Sequence, residues 1–219
     1  MRRQRTIGTF FRVAALVGGV VMALPSVSHA AIDEIIVTAE RREASLQEVP
    51  IAVSVITETA LKNQQVYNVE NIGAGVPSMQ SGKATGSPSN VRIYMRGLGN
   101  TESTLPTGEG AVGIYVDDLY LARTNGSNMR LLDVERIEVL RGPQGTLYGR
   151  NTISGAVKMI TRKPDENARA SATVGYGSRN SIDTRIGGST PFADNKWAIS
   201  AAAVYAQEDG FIDLYSAPG

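Results

Sequence analysis

From residue 168 onward the chain alternates apolar and polar side chains with a period of two, and that periodicity leaves few folds open. Ala168, Ala170, Ala172, Val174 and Tyr176 interleave with Arg169, Ser171, Thr173 and Gly175. Successive strand residues point to opposite faces, so such a run is a strand with one apolar and one polar face. Residues 181–190 repeat the pattern, with Ile182 and Ile186 opposite Asp183 and Arg185, and residues 196–207 repeat it with Trp197, Ile199, Ala201, Ala203 and Tyr205 on one side. Turns at 177–180 and 191–195 separate the three runs, which predicts antiparallel pairing. Trp197 and Tyr205 stand about 26 Å apart along a strand. Tilted by about 40°, that length covers the apolar band of an outer-membrane wall with an aromatic at each interface. A soluble meander with ordinary aromatic placement fits the same pattern.

The other end of the chain reads as an address. Arg2, Arg3 and Arg5 form a basic start, residues 13–24 are an uncharged run of twelve, and Pro25 precedes Ser28-His29-Ala30. This is the form of a secretory signal peptide over residues 1–30, with cleavage expected after Ala30. As a helix the run would span about 18 Å, too short for a hydrocarbon core of about 30 Å. No later stretch approaches the length of a membrane helix, so a further encounter with a membrane would use a β-barrel or the surface.

Removing the leader changes the charge and the chemistry. Its four arginines, Arg2, Arg3, Arg5 and Arg12, belong to the 22 basic residues of the chain; without them 18 basic side chains face 21 acidic ones. A net charge of about −3 with both signs scattered gives no clustered basic face for nucleic acid. There is no cysteine, and the single histidine, His29, lies in the leader. Cysteine nucleophiles, Ser-His-Asp and Cys-His catalysis, disulfides and zinc sites on His or Cys are thereby excluded. We therefore expect no catalytic residue, no metal and no cofactor, and a protein that is not an enzyme. A carboxylate-based enzyme is the weaker alternative.

Between the two ends lies an α+β pattern. Residues 33–39 are a short β-branched run, and residues 40–48 read as a solvated connector. Ile51, Val53 and Val55 alternate with Ala52, Ser54 and Ile56 as a strand would, and Thr57 caps a helix expected at 58–64. A second helical stretch is expected at 69–72, an irregular Gly/Ser/Pro loop at 81–90 and a helical stretch at 128–132. Strands are expected at 91–96, 112–116, 134–140 and 155–161, with Val134, Arg136, Glu138 and Leu140 sharing a face. The mixed domain ends near Lys163-Pro164.

Several of these stretches resemble one family. Asp33-Glu34-Ile35-Ile36-Val37-Thr38-Ala39 is similar to the TonB box of TonB-dependent outer-membrane receptors. Ile93-Tyr94-Met95-Arg96-Gly97, Val112-Gly113-Ile114-Tyr115-Val116-Asp117-Asp118 and the run from Arg136 through Arg141-Gly142-Pro143-Gln144-Gly145-Thr146-Leu147-Tyr148-Gly149 resemble that family's plug domain. The resemblance implies a signal peptide at 1–30, a TonB box and linker at 31–48, a plug at 49–164 and the first strands of a transmembrane β-barrel at 165–219. It also implies energised uptake of a scarce ligand across the outer membrane, most often a ferric siderophore. The partners it implies are the C-terminal domain of TonB, the outer membrane and the cargo, with no nucleic acid. The smallest barrels need about eight strands, so three strands imply an incomplete wall. A polar stretch at 214–219 in place of a terminal aromatic strand favours truncation, and the alternatives are a free periplasmic binding domain or a fragment with no function of its own.

Individual motifs carry more specific expectations. Residues 35–38 suit addition to the exposed sheet edge of a partner, or alternatively an edge strand of this domain. Arg96 and Arg141 each end a strand before a glycine. By resemblance they are the plug arginines that meet glutamates of the inner barrel wall, and the alternative is a pair within the plug to Glu135 or Glu138. Gly142, Gly145 and Gly149 are expected to supply positive φ and close backbone approach at a sharp corner, and Gly97, after Arg96, is a further structural glycine. That corner lacks the Gly-Lys-Ser/Thr ending of a phosphate loop. Asp117-Asp118 reads as a hairpin turn, since neighbouring strand residues cannot share one substrate atom. The loops 81–90 and 97–110 are where a ligand could be met, although no residue there identifies it.

Overall fold

A computed structural model of the chain describes residues 34–39, 42, 44–99, 109–123, 125–164, 166–193 and 196–210. The expected signal peptide, Asp33 and most of the 97–110 loop lie outside the described residues.

Two short strands, β1 (Ile36–Val37) and β2 (Ala44–Ser45), pair antiparallel at the start. β3 (Ala52–Thr57) leads into helix α1 (Glu58–Asn63), where Thr57 Oγ1 accepts the Ala60 amide at 3.3 Å. An oxygen-bearing cap with an acidic residue in the first turn is what the orphan amides of a helix start require. A 3₁₀ turn follows at Val69–Gly75. β4 (Met79–Ala84) and β5 (Ser87–Met95) then form a hairpin where an irregular loop was expected. Gly86, at φ +77°, makes the turn, and Met79, Val91, Ile93 and Met95 bury the inner face. Small and polar residues at 81–90 conceal that alternation: Lys83, Thr85 and Ser89 are exposed, while Asn90 is buried although polar.

β6 (Leu98–Gly99) folds back on β5, and β7 (Val112–Val116), β8 (Leu119–Tyr120), β9 (Val134–Arg141), helix α2 (Gly145–Tyr148) and β10 (Gly155–Thr161) complete this region. Asp117 and Asp118 are the two central residues of the β7–β8 hairpin, at φ +46° and +69°. Aspartate tolerates that left-handed backbone better than a branched residue would. The stretch 128–132 is extended, not helical: Arg130 forms an antiparallel bridge with Asn68, and the Leu131 amide donates to Tyr67 O at 2.9 Å. Five residues give too little helix to offset its nucleation, so tertiary hydrogen bonds decide.

The main sheet has the order β3-β9-β10-β7-β8, with β10 antiparallel to β9 and parallel to β7. One face buries Ile56, Ile137, Val139, Val157 and Met159 against Val69, Ile72, Val91 and Met95. The other carries Tyr115, Leu140 and Ala156, and there Val37 and Ala39 of the N-terminal segment close the layer with Tyr148. Residues 34–39 are thus folded onto the sheet, whereas the sequence suggested a strand on a loose tether. Burial of Val37 and Ala39 offsets the entropy of ordering the segment.

β11 (Arg169–Gly177), β12 (Ser181–Phe192) and β13 (Trp197–Gln207) form a separate antiparallel sheet in that order. Val174, Tyr176, Ile182, Ile186, Phe192, Trp197, Ile199 and Tyr205 all stand exposed. Register places Tyr176 beside Ile182, Ala172 beside Ile186, and Phe192 beside Trp197, so these side chains share one face. Among the described residues the fold is therefore a mixed-sheet α+β domain joined to an open three-stranded antiparallel sheet.

Candidate coupling site

The N-terminal segment meets the sheet at a buried polar cluster. Glu138 on β9 and Lys158 on β10 are direct cross-strand partners, and both are almost completely buried. Parity in the strand puts Arg136, Glu138 and Leu140 on the face that the segment covers. Thr38 lies between the two charges. Its backbone amide donates to both Glu138 carboxylate oxygens, at 2.9 and 3.1 Å. Lys158 Nζ donates to Thr38 O at 3.1 Å and to Thr38 Oγ1 at 2.9 Å. The hydroxyl is within 3.2 Å of Glu138 Oε2, so it accepts from the ammonium and donates to the carboxylate. Arg136 Nε also donates to Glu138 at 2.9 Å, and Asp118 pairs with Lys158 at 3.0 Å.

Aromatic residues complete the seat. Tyr148 Oη donates to Ala39 O at 2.7 Å, and Tyr115 Oη donates to Tyr148 O at 2.8 Å. Tyr115 packs between Tyr120 and Tyr148 with ring centroids 5.3 Å apart in each pair. Edge and tilted geometries of this kind add to their area burial.

The segment's own backbone has two edges. The Leu46 amide donates to Ile35 O at 2.9 Å, so residues 35 and 37 turn their polar groups to β2 while 36 and 38 turn theirs away. Glu34, Ile35 and Ile36 are exposed, Val37 and Ala39 are buried, and Thr38 is half-buried.

The two expected arginines are brought together. Arg96, at φ +51°, and Gly97, at φ +82°, form the two-residue turn between β5 and β6. A Cβ added at Gly142, which sits at φ +118°, would lie 3.2 Å from the Arg96 guanidinium. The alternative pairing with Glu135 or Glu138 does not occur: Arg136 takes both carboxylates. Arg141 is three residues from Glu138 and points to the opposite face of β9, which is why it cannot reach. Among the described residues neither Arg96 nor Arg141 forms an ion pair, and Arg141 Nε is buried without a hydrogen bond. Gly149, at φ +86°, has the expected positive φ but no close backbone approach, and Gly145 has neither: it opens α2, and a Cβ at either position would meet nothing within 4 Å.

Two features escape sequence reasoning. One is the Thr38 seat, for which the only signal is a charge at an inward position of an otherwise apolar strand. The other joins the sheet β11-β12-β13 to the mixed domain. Arg130 pairs with Asp183 at 2.9 Å, Arg169 with Asp133 at 3.2 Å, and the Arg185 guanidinium lies 3.9 Å over the Tyr67 ring. These wall residues belong to the polar face of the alternating strands, so the polar face meets the domain and the apolar face looks outward. No group of acidic or histidine residues among those described could hold a metal ion.

Comparison with known proteins places this architecture. The family model described as "TonB-dependent Receptor Plug Domain" matches residues 45–156. The chain is 24% identical over 183 residues to the vitamin B12 transporter BtuB of Vibrio vulnificus, covering 82% of this chain and 28% of that protein. It is 33% identical over 129 residues to the catecholate siderophore receptor Fiu of Escherichia coli K12, covering 56% of this chain and 15% of that one. In fold it is similar to the ferripyoverdine receptor of the outer membrane of Pseudomonas aeruginosa, with a TM-score of 0.68 at 20% identity, over 82% of this chain and 23% of that one. The chain thus spans under a third of the relatives it matches. A family match over half of the sequence, on a mixed sheet followed by opening wall strands, makes the chain a member of the TonB-dependent receptor plug family.

Proposed function

We propose that the protein serves energised uptake across the outer membrane, with residues 1–30 a cleaved signal, 31–48 the TonB box and linker, 49–164 the plug and 165–219 the first wall strands. The cargo is a scarce ligand, most reasonably a ferric siderophore, because Fiu is named for a catecholate siderophore and the similar solved structure for ferripyoverdine. BtuB, named for vitamin B12, keeps cobalamin as the second candidate. Arg96 and Arg141 are the plug's contacts to later wall strands, and the glycines Gly97, Gly142 and Gly149 shape the corner that presents them. The work done is mechanical and electrostatic, with no bond made or broken in the cargo.

The observation that carries this reading is the outer edge of β1. Ile36 is exposed, and its backbone groups face away from β2, which is the arrangement a partner strand needs in order to add. Ile36→Pro deletes an amide from that edge and leaves the β1–β2 ladder bonds in place. Calorimetry with the C-terminal domain of TonB should lose its binding signal while the melting temperature stays within a few degrees. Unchanged affinity would sink the reading. The wall arrangement is tested separately by recovering the native polypeptide from outer-membrane fractions.

A further inference from the structure

We infer that Glu138 and Lys158 act as a substitute for a neighbouring strand, capping the edge of β1 at Thr38 and keeping it from a partner until the segment lifts. The inference rests on the reading of residues 33–39 as a partner's docking strand and adds how access to it is controlled. In a sheet, an edge residue offers one amide and one carbonyl to the next strand. At Thr38 the amide is taken by the Glu138 carboxylate and the carbonyl by the Lys158 ammonium, so the groups a partner would bond are already occupied. The Thr38 hydroxyl joins the two charges, accepting from one and donating to the other.

The cap is strong and reversible for one geometric reason. Glu138 and Lys158 face each other across the β9–β10 ladder, yet no direct ion pair joins them while Thr38 is between them. When the segment leaves, cross-strand spacing lets the ammonium and carboxylate meet directly, so neither buried charge is abandoned. Arg136 and Asp118 contact the pair independently of Thr38, at 2.9 Å and 3.0 Å with the segment seated. The plug therefore has two satisfied states, one with the segment seated and one with it free.

The test uses the full chain in detergent, with hydrogen exchange at residues 35–39 as the readout that needs no partner. Glu138→Gln removes the charge on the amide, and Thr38→Val replaces the hydroxyl with a methyl, which takes one hydrogen bond from each buried charge but leaves both charges and the Thr38 backbone groups in place. Both variants should exchange at 35–39 about ten-fold faster while protection of Val139 and Val157 holds, since local opening is separable from global unfolding. Affinity for the C-terminal domain of TonB should rise in parallel. Unchanged exchange in both variants overturns the cap. Faster exchange without any TonB binding, in variant or wild type, leaves the cap standing and removes the docking reading instead.

Discussion

At Glu58 burial and two basic side chains pull one proton in opposite directions. Burial raises its carboxyl, but the hydrogen bond and charge of Lys62 and the charge and hydrogen bond of Arg162 outweigh it, and the group is held below its ordinary 4.5. Lys62 Nζ lies 2.6 Å away as the i+4 partner on α1, and Arg162 reaches over from beyond β10. A carboxyl that binds its proton less well in the folded state stabilises at neutral pH and loses that contribution as pH falls from 4.5 through the folded value. Glu58→Gln should lower the urea midpoint at pH 7, and the gap to wild type should narrow toward pH 3. A gap that stays constant over that range would rule out the linkage. The cap at Thr57 was legible one residue earlier in the sequence, because capping is local chemistry. The Arg162 contact was not, since the two residues lie 104 positions apart.

Among the elements, the alternating strands were the most readable and their attachment the least. Period two fixes which side chains share a face, and all three runs fold as that pattern demands. One of the contacts that hold this sheet to the domain is Asp133, which faces Arg169 of β11 at 3.2 Å and Arg162 at 3.7 Å from a left-handed backbone at φ +48°. Asparagine tolerates the same backbone, so Asp133→Asn removes the charge without straining the turn. A partly exposed pair of this kind is worth up to about 1 kcal/mol, so we expect amide exchange in β11 to accelerate several-fold. No change would mean that packing of Tyr67 under Arg185 suffices. The extended 128–132 stretch went against local pattern because its backbone hydrogen bonds go to a distant partner, Leu131 to Tyr67, whereas the hairpin β4–β5 is a local ladder hidden by small residues in its strands and turn.

For the whole molecule, the proposed wall requires that the apolar side of the open sheet meet lipid. Ile199 is 59% exposed on the apolar face, while Ser200 beside it belongs to the face that turns toward the domain. Ile199→Lys should cost about 2–4 kcal/mol of insertion if residue 199 sits near the bilayer centre, and Ser200→Lys far less. Fractionation of cells expressing each variant should show Ile199→Lys lost from the outer membrane and Ser200→Lys retained. Equal loss of both would argue against the proposed wall. By itself the sequence determined the alternation of the three final strands, the capped helix and the Asp117-Asp118 turn, because each rests on neighbours within a few residues, and its composition fixed the lack of cysteine and of any histidine beyond His29. Only the tertiary structure decided that residues 34–39 lie folded on the sheet and that Thr38 separates Glu138 from Lys158. Their partners are 100 and 120 residues away, and no local pattern specifies which buried charge a distant backbone amide will meet.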